Sequence, residues 1–153
     1  MVVKMKKGSI IIVTYNSEKD IYDCVTSIME YADIPLQEIE LVVFDNNSTG
    51  CDAMFDKLKA LWGADIVLIK NNQNGGYGQG NNLGIRHCSA PVVLIMNPDV
   101  RLLCPIFRKA IHIFSHDKNM CMLGMKQWLT SEEPSTNSFA CPYMMNGYLS
   151  TEL

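Results

Sequence analysis

The sequence predicts an α/β fold, an open and mostly parallel β-sheet flanked by helices. Short apolar runs rich in β-branched residues alternate along the chain with stretches whose apolar residues recur at helical spacing. Such alternation produces parallel strands joined by right-handed crossovers. The 153 residues are the size of one ordinary domain. Their composition, 48% hydrophobic and 19% charged, is typical of a globular protein.

The first strand and helix are predicted within the first thirty or so residues. Ser9–Tyr15 is a continuous apolar run, which suits a strand that is buried on both faces. Ser17 and Asp20 stand three apart and approximate a capping box, so we expect a helix start there. The apolar residues of Ile21–Met29 then recur at the spacing that gives a helix one apolar face.

The remaining elements continue the alternation. A glycine- and asparagine-rich loop is predicted at Asn71–Gly80, and the pattern dissolves from Gln127 onward. Further strands are predicted at Glu40–Phe44, Ile66–Ile69, Pro91–Met96 and Met120–Met125, and further helices at Met54–Trp62 (ended by Gly63), at about Asn81–His87, and from Pro105 through Phe114.

The cysteines and the charge narrow the class of protein. None of the six cysteines forms a C-x-x-C pair, and no histidine stands near a pair at ligand spacing, so zinc is not expected. No stretch approaches the roughly 20 apolar residues of a membrane span. The net charge of -3 gives no support for a nucleic acid partner. We expect reduced thiols and a cytoplasmic protein, at most peripherally attached at the inner face of the membrane.

Polar residues follow the first four predicted strands. Ligands bind beyond the carboxyl ends of the strands in open parallel sheets, so we expect these residues to form one pocket. Each cluster alone is also explained by the preference of Asn and Asp for turns. The clusters are Thr14-Tyr15-Asn16, Asp45-Asn46-Asn47, Asn71-Asn72 and Asn97-Pro98-Asp99.

Two features suggest a phosphate site at that edge. The segment Asn74–Asn82 is rich in glycine, which lets backbone amides approach a ligand, and a helix start behind it attracts phosphate oxygens. A flexible connector is the alternative, because the segment lacks the Lys-Ser/Thr of a P-loop. Asp99 is a candidate ligand for Mg²⁺ or Mn²⁺, with a turn or helix-cap role as its alternative.

Sequence blocks around these strand ends stand in a fixed order along the chain. They are Ile10–Asn16, Val42–Ser48, Asn74–Tyr77, Gly80–Ile85 and Asn97–Val100. Together they resemble the family 2 glycosyltransferases of the GT-A fold, most of all the rhamnosyltransferase-like branch. The resemblance covers residues 9 to about 126.

The resemblance implies inverting transfer of a sugar from a nucleotide diphosphate sugar, either dTDP-rhamnose or a UDP-sugar, to a glycan or lipid-linked acceptor. It implies that residues 1–126 are a Rossmann-like nucleotide-sugar-binding half. Residues 127–153 are then a polar loop and the start of an incomplete acceptor-side region, so we expect a truncated enzyme. The alternative is a truncated, non-catalytic nucleotide-binding module. A homodimer stays open.

Individual roles also follow from the resemblance. Asp45 is expected to hydrogen-bond a uracil or thymine base, and Asn47 to support its loop. Asp99 matches the second aspartate of the family's Asp-x-Asp metal motif, whereas Asn97 replaces the first, which leaves one carboxylate for a divalent cation. No catalytic base is assigned. Further contacts with the nucleotide sugar are implied for Thr14, Tyr15, Asn16, Asn74, Gly75, Gly76, Asn81 and Asn82.

Overall fold

A computed structural model describes residues 5–63 and 66–125. The elements of this part of the chain are β1 (Gly8–Thr14), α1 (Ile21–Glu30), a short 3-10 turn (Leu36–Glu38), β2 (Ile39–Asp45), α2 (Cys51–Trp62), β3 (Ile66–Lys70), α3 (Gly76–Ile85), β4 (Val92–Met96) and α4 (Phe107–His116). The chain divides after His116, so every strand and helix named here belongs to the first of two units. None of these helices is long and apolar enough to cross a membrane.

The strands form one parallel sheet in the order β3-β2-β1-β4, which confirms the predicted α/β class. The central strands β1 and β2 are buried on both faces, which explains their continuous apolar runs. Ile10 and Ile12 share a buried cluster with residues of α1 and α2. Ile11 and Val13 point to the opposite face, where Leu83 of α3 packs with them.

Helix α3 approaches the sheet closely at two glycines. A Cβ at Gly80 would stand 2.7 Å from Cγ1 of Val13, and a Cβ at Gly84 would collide with the side chain of Ile11. The two glycines are four residues apart and therefore lie on the same helix face. The predicted loop Asn71–Gly80 was thus wrong from Gly76 onward, because part of its glycine content serves helix–sheet packing.

Two further local predictions were wrong. Ser17 does not cap α1, since its hydroxyl interacts with the backbone N and O of Tyr15 at 3.2 and 3.3 Å, and Asp20 occupies the N-cap without a side-chain capping bond to any described residue. Met120–Met125 is not a strand. A turn ends at its first residue, where the backbone N of Met120 donates to the carbonyl oxygen of Asp117 at 3.2 Å.

Other boundaries were confirmed or lie outside the described residues. Gly63 ends α2 with φ of 62°, a left-handed conformation that glycine adopts without strain. The predicted polar loop and acceptor-side start at 127–153 fall outside the described residues.

Candidate functional site

A cleft of about 350 Å³ opens beyond the carboxyl ends of β1 and β4. The two strands are neighbours, and their register pairs Ile12 with Met96, so the segments that follow them leave the sheet at the same edge. This is the edge at which a parallel sheet binds ligands. The lining residues are Val13, Tyr15, Ser17, Asp20, Tyr77, Asn97, Pro98 and Asp99.

The segment after β4 is anchored on α1. The thiol of Cys24 donates to the carbonyl oxygen of Asn97 at 3.6 Å, and the backbone N of Leu102 donates to Ser27 Oγ at 3.0 Å. Burial and the nearby charge of Asp99 raise the pKa of the Cys24 thiol to about 12. The Asp99 carboxylate is exposed, and the backbone on either side of it is held by these two hydrogen bonds to α1, as expected for a binding position.

Asp45 is completely buried at the end of β2. Its Oδ1 accepts hydrogen bonds from Thr14 Oγ1 at 2.9 Å and Ser48 Oγ at 2.6 Å, and its Oδ2 accepts one from Ser48 N at 2.8 Å. Burial and a hydrogen bond to Asp45 also raise the pKa of the Cys51 thiol to about 12. The carboxylate is occupied by internal donors and does not line the cleft, so its contact with a base stays a prediction.

The loops after β1 and β2 are joined to each other. Asn16 and Asn47 both have left-handed backbones, with φ of 52° and 70°, which asparagine tolerates better than most residues. The backbone N of Asn16 donates to Ser48 Oγ at 2.8 Å, and its side-chain oxygen accepts from Thr49 N at 3.3 Å. Asn16 joins the two loops through these hydrogen bonds, and neither asparagine lines the cleft. Support of its loop by Asn47 stays a prediction.

The loop after β3 is organised around Asn46, a buried residue of the β2 strand end. Its Nδ2 donates to Asn74 Oδ1 at 2.9 Å and to the carbonyl oxygen of Gly76 at 3.1 Å, while its Oδ1 accepts from Asn71 Nδ2 at 3.1 Å. Gly75 is the exposed N-cap residue of α3. Asn74, Gly75 and Gly76 therefore lie together at the start of that helix.

Asn81 and Asn82 differ in their surroundings. Asn81 is buried, and its Nδ2 donates to the carbonyl oxygen of Tyr77 at 3.0 Å. Its Oδ1 has no hydrogen-bond partner among the described residues. Asn82 is exposed on the same helix, and neither residue lines the cleft.

Sequence reasoning missed several residues that build the site. Asp20 and Ser17 were interpreted as a helix cap, and Tyr77 was passed over inside a glycine-rich loop, yet all three line the cleft. Ser48 was given no role of its own. Its position three residues after Asp45, the spacing of a side-chain-to-backbone turn, was the signal that could have linked the two.

The cleft is acidic. Asp20 and Asp99 contribute two carboxylates, and none of the residues that line it within the described part of the chain is Lys or Arg. No group of three or more His, Cys, Asp or Glu that could hold a metal ion occurs among residues 5–63 and 66–125. Carboxylate and amide oxygens are nevertheless the ligands that Mg²⁺ and Mn²⁺ prefer, and these cations commonly keep several waters. Asp99 and Asn97 fit such an ion as partial ligands.

Comparison with known proteins agrees with this fold. The low-salt glycan biosynthesis hexosyltransferase Agl10 of Haloferax volcanii is 37% identical over 100 residues, which are 61% of this chain and 28% of Agl10. Staphylococcus aureus TarS 1-349, solved in complex with UDP-GlcNAc, superposes with a TM-score of 0.64 at 22% identity over 81% of this chain and 38% of that one. The mannosyltransferase PcManGT from Pyrobaculum calidifontis, solved with GDP-Man and Mn²⁺, gives a TM-score of 0.63 at 21% identity over 83% of this chain and 36% of that one.

The chain thus spans well under half the length of each of these relatives. The two solved structures share its parallel sheet flanked by helices, which is the GT-A arrangement expected from the sequence. A sequence profile described as Glycosyl transferase family 2 matches residues 9–122, most of the chain. The chain belongs to glycosyl transferase family 2.

Proposed function

We propose that the cleft binds a nucleotide diphosphate sugar and that this chain is the donor-binding part of an inverting glycosyltransferase. The observation that carries the proposal is the convergence of Tyr15, Asn97 and Asp99 on one cleft at the ligand-binding edge of a family 2 domain. The acceptor is proposed to be a glycan or a lipid-linked glycan precursor, and a lipid-linked acceptor would bring the protein to a membrane surface.

The nucleoside is proposed to lie against the β1 side of the cleft. Tyr15 is 52% exposed there and offers a flat apolar surface with a polar tip. Thr14, Asp45 and Ser48 form the hydrogen-bonded floor that holds the Tyr15 segment. A direct bond from an imide N–H of the base to Asp45 requires this completely buried carboxylate to become accessible, so its main contribution is proposed to be support of the pocket.

Charge supports a divalent cation in the complex. A diphosphate is strongly negative, and the lining carboxylates of Asp20 and Asp99 would repel it unless a cation stands between them. Asp99 is the proposed ligand, with Asn97 beside it. A bound Mg²⁺ or Mn²⁺ supplies charge stabilisation of a leaving diphosphate. The backbone amides of Asn74 and Gly75, just before α3, are proposed to add to that stabilisation, whereas the N–H of Gly76 is already bound to Asn74 Oδ1.

The donor is proposed to be a UDP-sugar or a dTDP-sugar. Agl10 is named as a hexosyltransferase, and TarS was solved with UDP-GlcNAc. TarS favours an N-acetylhexosamine, whereas the name hexosyltransferase does not separate other hexoses from rhamnose, a 6-deoxyhexose. GDP-Man, the ligand of PcManGT, is the competing donor that a titration separates from the others.

Calorimetric titration tests the proposal. UDP, dTDP, GDP and UMP are titrated into the protein, each with Mn²⁺ and again with EDTA. We expect UDP and dTDP to bind most tightly and Mn²⁺ to strengthen binding of the diphosphates more than that of UMP. A ligand at a hundred times its Kd stabilises the fold by about 2.7 kcal/mol, so melting temperature gives an independent reading. If no nucleoside diphosphate binds under either condition, the proposal is wrong.

A further inference from the structure

Tyr77 presents a large aromatic ring to the cleft from the first turn of α3. It is 51% exposed, and it lines the same cleft as Tyr15. Its hydroxyl has no hydrogen-bond partner among the described residues, so the position of the ring at the cleft is not explained by a hydrogen bond of that hydroxyl. An exposed aromatic ring at a cleft is a surface that another flat ring can cover.

The backbone just before Tyr77 is held in a specific conformation. Gly76 has φ of 80°, which residues with a side chain rarely adopt, and its N–H donates to Asn74 Oδ1 at 2.9 Å. The direction in which the Tyr77 side chain points away from the backbone is therefore set by Asn74 and Gly76.

Asn46 fixes this turn from inside the protein. It is 1% exposed, and its Nδ2 binds both Asn74 Oδ1 and the carbonyl oxygen of Gly76. The contacts run from the end of the central strand β2 to the residue that precedes Tyr77. A buried amide whose donors and acceptor are all engaged specifies one geometry, because leaving any of these groups unpaired is costly.

We infer that Tyr77 is a ligand-contacting residue whose ring stacks on the nucleobase, and that Asn46 and Asn74 are positioning residues that hold Tyr77 in place. The inference rests on the proposed function, because it takes a nucleotide as the ligand. Stacking suits this position since every base has a flat face and an aromatic ring accepts it without reading its edge. Tyr77 is thereby assigned to affinity for the nucleoside, separately from contacts with the diphosphate.

Tyr77→Ala and Tyr77→Phe test the stacking role. In calorimetric titrations with Mn²⁺ present, Tyr77→Ala should weaken UDP binding about tenfold or more, whereas Tyr77→Phe should stay within about twofold of the wild type. Inorganic pyrophosphate should bind all three proteins equally, because it has no base. An equal loss of UDP and pyrophosphate affinity in Tyr77→Ala, or a Tyr77→Phe protein as weak as Tyr77→Ala, overturns the stacking role.

Asn74→Ala tests the positioning role. Asn74 is exposed, so its truncation leaves no cavity, whereas Asn46→Ala would open one in a buried position. Gln73→Ala is the matched control, because Gln73 is an exposed amide residue of the same loop. We expect Asn74→Ala to weaken UDP binding, Gln73→Ala to leave it unchanged, and Asn74→Ala to add nothing once Tyr77 is Ala. Additive losses in the double mutant mean that Asn74 does not act through Tyr77.

The UDP titrations of the wild type and of Tyr77→Ala distinguish a wrong role for Tyr77 from a wrong proposed function. If wild-type protein binds no nucleoside diphosphate, the proposed function fails. If the wild type binds UDP but Tyr77→Ala binds it equally well, the cleft is a nucleotide site and only the inference is overturned.

Discussion

Ser48 donates its hydroxyl to Asp45 Oδ1 over 2.6 Å, and the same hydroxyl oxygen accepts the backbone N–H of Asn16 over 2.8 Å. One side chain thus connects a buried carboxylate at the end of β2 to the left-handed residue beside Tyr15. Because Tyr15 lines the cleft, the shape of the proposed nucleoside pocket depends on a contact that lies beneath it.

Ser48→Ala should therefore weaken both the fold and nucleotide binding. It removes a buried donor to Asp45 and leaves Asn16 N without its acceptor, which costs about 1–3 kcal/mol of unfolding free energy. Urea unfolding measures the first effect and UDP titration the second. Ser115→Ala, which removes an exposed hydroxyl on α4, is the control and should change stability by less than about 0.5 kcal/mol. Full UDP affinity in Ser48→Ala would contradict the connection.

Gly80→Ala and Gly84→Ala should each destabilise the protein by about 1–3 kcal/mol, because the new methyl groups press α3 away from Val13 and Ile11. Gly78 is the matched control, since a Cβ there meets nothing within 4 Å. Gly78→Ala should be neutral or stabilising by up to about 1 kcal/mol through better helix propensity. Denaturant midpoints for the three variants check this prediction. Equal changes in stability at all three positions would show that Gly80 and Gly84 are not needed for close packing of α3 on the sheet.

Glu40 should make stability depend on pH in the acid range. Burial pushes its pKa up, but hydrogen bonds from Ser9 and Ser89 outweigh burial and hold the pKa below its ordinary value of 4.5. A carboxyl with a lower pKa in the folded state stabilises the fold fully above pH 4.5 and loses this contribution as pH falls through the folded value.

The comparison with Glu40→Gln isolates that carboxyl. The variant should be less stable than wild type at neutral pH, and the gap should narrow as pH falls below 4.5. Urea unfolding at several pH values measures it. A gap that stays constant or widens toward acid would mean that Glu40 is not held in its charged form by these serines.

Asp99→Asn should reduce nucleotide binding only where a cation takes part. We expect UDP affinity to fall about tenfold with Mn²⁺ present, because the carboxylate is the proposed ligand, and to stay unchanged or rise with EDTA, because without a cation the carboxylate repels the diphosphate. Asp56→Asn, an exposed carboxylate on α2, is the control and should change neither. Equal losses with Mn²⁺ and with EDTA would refute the assignment of Asp99.

The sequence predicted the sheet and its ligand-binding edge because burial on both faces makes β1 and β2 continuous apolar runs, which periodicity detects. It predicted Tyr15, Asn97 and Asp99 in one place because parallel strands end at one edge. It could not separate Asp45, which is buried beneath that edge, from residues exposed at it, since both follow a strand in the same way. A glycine in a phosphate-binding loop and a glycine at a close helix–sheet contact look alike in a sequence. The packing roles of Gly80 and Gly84 could therefore be identified only from the structure.

The most direct test of the account is a crystal structure of the protein grown with UDP and Mn²⁺. We predict UDP in the cleft beyond β1 and β4, with its base beside Tyr15 and its diphosphate toward Asp99. UDP bound at any other surface, with this cleft empty, would contradict the central claim.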